Sequence, residues 1–81
     1  MIKLEKDVLD FHMNLSILDL RMEISKNERF INNHPRIFRY PKDETDFYLL
    51  KDRIVILKGI FDFRTNQISE KEFNAQFDFV R

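Results

Sequence analysis

The stretch LEKDVLDFHMNLSILDLRM, residues 4–22, decides how the rest of the chain must be arranged. Placed on a helix at about 100° per residue, it carries two apolar stripes on opposite faces with polar residues along both edges. One stripe is Leu4, Val8, Phe11, Leu15, Leu18 and Met22; the other is Leu9, Met13, Ile17 and Leu20, continuing to Ile24 and Ile31. An ordinary surface helix has one such stripe, so this one needs cover on both sides. A chain of 81 residues has little material for that. The pattern therefore predicts self-association, with Leu9, Met13, Ile17, Leu20 and Ile24 as the interface between copies.

Working outward, the first helix, A, is expected over about residues 3–31 and ends before Asn32-Asn33-His34-Pro35, because proline disfavours helical geometry in the residue before it. A connector over residues 32–43 contains Pro35 and Pro41 and runs into Asp43-Glu44-Thr45-Asp46, an acidic run suited to the positive end of a helix, with Asp43 as the N-cap. Helix B follows over about residues 44–64, its main seam being Phe47, Leu50, Ile54, Leu57 and Phe61. Gly59 weakens that helix, which points to close approach of another backbone there. Ser69-Glu70-Lys71-Glu72 reads as a capping box, with Ile68 and Phe73 at hydrophobic-staple spacing. A short helix C over about residues 70–80 then presents Phe73, Phe77 and Val80. The predicted fold is all-α: a single domain, residues 1–81, built as an antiparallel helical hairpin with a short third C-terminal helix and assembled into an oligomeric bundle. Its rival is a compact three-helix monomer in which helix C covers the second face of A.

Composition narrows the function classes. The 14 basic and 14 acidic residues cancel, so no bulk charge draws the molecule to nucleic acid or to a membrane, and no basic recognition helix suggests sequence-specific DNA binding. No apolar run approaches the roughly 20 residues of a membrane span, and the first residues lack the basic-then-apolar order of a signal peptide. Cysteine is absent, which excludes disulfides and thiolate metal sites and suits a reducing, cytoplasmic setting. Nine phenylalanines supply enough apolar area to offset the entropy of ordering the chain.

Catalysis finds little support. His12 and His34 have no second histidine at ligand spacing, and His12 falls on a polar edge of helix A as a half-exposed side chain. One glycine cannot build a phosphate loop or a nucleophile elbow. The reading is a protein with no catalytic residues, no metal and no cofactor. The strongest local feature is the connector, where Arg29, His34, Arg36, Arg39 and Lys42 alternate with Phe30, Phe38 and Tyr40 and no acid intervenes. Arginine forks grip phosphates and aromatic rings stack on bases, so Arg36, Arg39 and Lys42 are candidate phosphate ligands and Phe38 and Tyr40 candidate stacking residues. Alternatively, Ile37 and Phe38 plug the end of the hairpin and the arginines stay solvated.

Ile24-Ser25-Lys26-Asn27-Glu28-Arg29-Phe30-Ile31, then Phe38, Leu49-Leu50 and Ile56-Leu57, resembles small helical-hairpin proteins of crAss-like and other phages. In architecture the chain also resembles the phage anti-CBASS sponges, oligomeric hairpins that sequester a cyclic-oligonucleotide signal without cleaving it. The resemblance implies a phage counter-defence factor with nucleotide pockets between subunits. The other expectation is an inhibitor or adaptor that binds a host protein through an exposed apolar helix face.

Overall fold

The structure is a computed structural model that describes residues 1–33 and 41–80. In chain order its elements are strand β1 (Ile2–Glu5), helices α1 (Lys6–Met13), α2 (Ile17–Asn33), α3 (Pro41–Arg64) and α4 (Glu70–Gln76), and strand β2 (Phe77–Val80). The all-α hairpin is thereby corrected in two places. The expected helix A is three elements, and the end of the expected helix C is a strand. The two strands pair in parallel, Ile2 opposite Phe77 through Glu5 opposite Val80, which brings the two ends of the chain into one sheet.

The break in helix A has a local cause. The Asn14 backbone N–H closes α1 on Asp10 O and Phe11 O, while its side-chain amide donates to Asp10 O at 2.8 Å. Two residues later Ser16 Oγ accepts the Asp19 backbone N–H at 3.1 Å, an N-cap that starts a new helix. The junction is held from across the molecule: Arg64 Nη1 donates to His12 O at 3.2 Å and also to Leu15 O. A guanidinium at the carbonyl end of α1 satisfies groups the helix leaves unpaired and opposes its negative dipole end.

Once the helix is broken, the two stripes no longer compete for one neighbour. Leu4 turns inward from β1, and Leu20 and Ile24 turn inward from α2, to meet Leu57 and Ile60 of α3, Phe73 of α4 and Phe77 of β2 in one core. Leu9 and Met13 pack at its border, and Ile17 sits at the edge, about one-third exposed. The residues expected between copies are therefore used mainly within the chain. Leu20 and Ile24 in particular are withdrawn from any intersubunit face, because α3 and the sheet already cover them.

Helix α3 runs antiparallel to α2, as the pairing of Glu28 with Lys58 and of Leu15 with Arg64 requires. It ends in a Schellman motif: Asn66 adopts φ 61°, Gln67 N–H reaches Asp62 O at 2.8 Å, and Asn66 N–H reaches Phe63 O at 3.2 Å. The reversal delivers the chain to Ser69, whose side chain accepts Glu72 N–H while Glu72 reaches back to Ser69 N–H, a complete capping box for α4. Phe73 then stacks on Phe63, centroids 4.8 Å apart, and meets Phe77 edge-on, tying α3, α4 and β2 together. Gly59 is required where this ring cluster meets α3. A Cβ there would lie 2.8 Å from Phe77 Cζ, so the close approach is to an aromatic side chain and not to a second backbone.

Candidate functional site

The side of α2 opposite the core is the most distinctive surface among the described residues. At 100° per residue the helix sends Leu20, Ile24 and Asn27 to the interior, and it must then send Leu18, Met22 and Arg29 outward. Burial agrees: Leu18 is 66% exposed, Met22 60%, and Phe30, on the flank, 63%. Three large apolar side chains left open on one 17-residue helix exceed what scattered surface hydrophobes account for.

Cations rim this strip. A shallow hollow of about 440 Å³ lies over Leu18, Arg21, Met22 and Ser25, and a second of about 400 Å³ lies over Phe30 and Asn33; Lys26 and Arg29 line both. The two hollows thus form one track along α2, which spans roughly 25 Å at 1.5 Å per residue. Among the described residues, Arg21, Lys26 and Arg29 form no ion pair, and Glu23 is the single carboxylate lining the track. The buried Asn27 supports the helix from behind, donating to Glu23 O at 2.7 Å. The track offers apolar contact along its length and unneutralised positive charge beside it.

Of the connector residues singled out from sequence, Arg36, Phe38, Arg39 and Tyr40 lie outside the described residues, as does His34. Lys42 is exposed in the first turn of α3, next to Asp43 and Glu44, which offset its charge. His12 is accounted for structurally: its Nδ1 donates to Val8 O at 2.7 Å, its ring meets Phe11 edge-on, and its backbone oxygen receives Arg64. Among the described residues no three histidine, aspartate or glutamate side chains converge to hold a metal ion, and no helix is long and apolar enough to cross a membrane.

Leu18 and Met22 were visible in the sequence as half of a stripe, but not as the exposed half. The signal that could have separated the two stripes is the company each keeps. Arg21, Lys26 and Arg29 cluster on the Leu18/Met22 side of α2, and a cluster of cations is costly to bury. Comparison with models of known protein families, with characterised proteins and with solved structures gave no match for this chain.

Proposed function

We propose that the protein works by binding and not by catalysis, and that it takes an amphipathic helix of a partner protein along the outer track of α2. The observation that carries this reading is the exposure of Leu18, Met22 and Phe30 along two hollows that share Lys26 and Arg29, with Arg21, Lys26 and Arg29 in no ion pair among the described residues. A helix laid along such a track buries an apolar seam, and the cations select one whose seam is flanked by aspartate or glutamate. This is the inhibitor or adaptor role, placed on a specific face.

The test is affinity capture from a lysate of the source cell, with Leu18→Asp/Met22→Asp as the control. Both side chains are exposed, so the double variant keeps its thermal midpoint while losing a stoichiometric partner that wild type retains. A partner retained equally by both proteins would refute the assignment to this face.

A second reading, sequestration of a cyclic nucleotide, is favoured by one observation. Lys26, Arg29, Phe30 and Asn33 line a single hollow, so two cations and an open ring stand together just before the Arg36 to Lys42 segment. Titration with cyclic di- and trinucleotides separates the two readings. Binding tighter than about 100 µM, roughly 5.5 kcal/mol, that is lost with Arg29→Ala and kept with Leu18→Asp supports the nucleotide.

A further inference from the structure

Three residues, Asn14, Leu15 and Ser16, separate α1 from α2, and none is glycine or proline. Asn14 already has near-helical angles, φ −94° and ψ −8°. In one continuous helix Ser16 N–H would donate to His12 O, and Asp19 N–H to Leu15 O. Two side chains prevent this: Arg64 takes both of those carbonyls, and Ser16 Oγ takes the Asp19 N–H at 3.1 Å. The break is thus set by competition for two acceptors and one donor, not by a residue that cannot be helical. The apolar stripes run through it in phase.

Joining the two helices has a geometrical consequence. The end of α1 and the start of α2 both meet Arg64, the last residue of α3, and both helices lie back along α3: Val8 shares a groove with Leu49 and Ile56, and Glu28 pairs with Lys58. A helix continuing α2 backward through Ser16 and Asn14 would pass beyond that end of α3 and carry α1 and β1 away. Residues 6–33 would form a rod of about 42 Å, against a longest molecular dimension of 40 Å. Leu4, 1% exposed, would leave the core, and Leu57, Ile60, Phe73 and Phe77 would lose its cover. The segment shaped to refill that place is the same segment of another copy. We infer that the chain has a second assembled form, a two-fold dimer in which two copies exchange β1 and α1 while each α1 and α2 run on as one helix. Each Leu4 then enters the partner's core, and each β1 pairs with the partner's β2 in the register already present, Ile2 opposite Phe77. Each copy gives up the Arg64 bonds and the Ser16 cap and gains the backbone bonds of an unbroken helix.

The topology can be read covalently, because the chain has no cysteine and Lys3 and Asp78, both exposed, lie opposite each other on adjacent strands. Lys3→Cys/Asp78→Cys places two thiols within disulfide reach. The full chain is refolded at millimolar concentration, its dimer is isolated by size-exclusion chromatography, oxidised mildly and run on a non-reducing denaturing gel. An exchanged dimer runs as a covalent dimer, whereas the monomer, or a dimer of side-by-side copies, runs as single chains closed on themselves. Ser16→Ala in the same background removes the cap in both copies and is expected to raise the association constant about tenfold or more. Ile17→Pro does the opposite: proline is tolerated at the first position of α2 but bars an unbroken helix, so this variant is expected to stay monomeric. Circular dichroism verifies the fold of Ile17→Pro, and the gel pattern of the Ser16→Ala dimer decides without it. Absence of a dimer even with Ser16→Ala, a dimer that yields only single chains on the gel, or a folded Ile17→Pro that dimerises as readily as its parent would each overturn the inference.

Discussion

Gly59→Ala pits two well-understood effects against each other at one site, and the geometry decides the sign. In an exposed helix interior the replacement would stabilise by about 1 kcal/mol, because glycine loses more backbone freedom on folding than alanine. At Gly59 the added methyl would stand 2.8 Å from Phe77 Cζ and 3.0 Å from Cε2, with Gln76 Oε1 at 3.1 Å. Gln76 can swing aside, since it is exposed, but Phe77 is 2% exposed and touches Phe73 and Phe79 edge-on. Forcing one methylene's worth of volume against a ring so held costs about 1–3 kcal/mol. Overpacking therefore outweighs propensity, and the variant should be less stable by about 1 kcal/mol. With 81 residues the unfolding entropy is about 170 cal/mol/K, so the midpoint falls by about 6 °C. Thermal denaturation followed by circular dichroism reads this directly. In a Phe77→Leu background the obstructing ring atoms are gone, and Gly59→Ala should become neutral or stabilising, a coupling of about 1–2 kcal/mol between the two sites. A midpoint that rises on Gly59→Ala in the wild-type background would refute the packing argument, and zero coupling would refute the assignment to Phe77.

Two further perturbations test the supports of the helices. Arg64→Met keeps the aliphatic stem but removes both bonds to the α1–α2 junction; hydrogen bonds from a charged donor are worth about 1.5–3 kcal/mol, and partial exposure leaves an expected loss of about 2 kcal/mol, seen as a lower urea midpoint at unchanged slope. Protection of the Asn14 to Asp19 amides in hydrogen exchange should fall with it, and an unchanged pattern would show the clamp to be idle. Ser69→Ala removes the α4 cap and should cost about 1 kcal/mol, whereas Lys58→Ala, which breaks a mostly exposed pair with Glu28, should cost under about 1 kcal/mol. Equal losses from these two would contradict the ranking, and both are measured by chemical denaturation.

What the sequence made legible was local, and what it hid was long-range. Helix α3 and the Ser69 to Glu72 box could be read because seam spacing and capping are properties of a few neighbouring residues. The break after Met13 left a trace that the two stripes obscured: Ser16 and Asp19 form an N-cap pair, but without glycine or proline nearby the apolar periodicity was carried straight through. Phe73, Phe77 and Val80 fit a helical stripe, while Phe77-Asp78-Phe79 also fits the alternation of a strand, and only the presence of β1 alongside selects the second. The binding track needed the fold itself, since Leu18 and Leu20 differ in exposure only because α3 lies on one side of α2. Of the connector candidates, Lys42 falls in the first turn of α3 and not in a connector, and Arg36, Phe38, Arg39 and Tyr40 lie outside the described residues.

The parallel pairing of β1 with β2 also sets an order of events during synthesis. Phe77 emerges from the ribosome 75 positions after its partner Ile2, by the register of the two strands. Until then Leu4 has no ring from β2 beside it and the α1–α2 junction waits for Arg64, so β1 and that junction are made well before the groups that hold them. The helices can form early from local contacts, but the core closes only when the last strand arrives. Closing so long a loop costs only slightly more than closing one half its length, about 0.6 kcal/mol. The burden is one of timing: a nascent chain with its amino-terminal strand uncovered depends for that interval on whatever in the cell shields exposed strand edges.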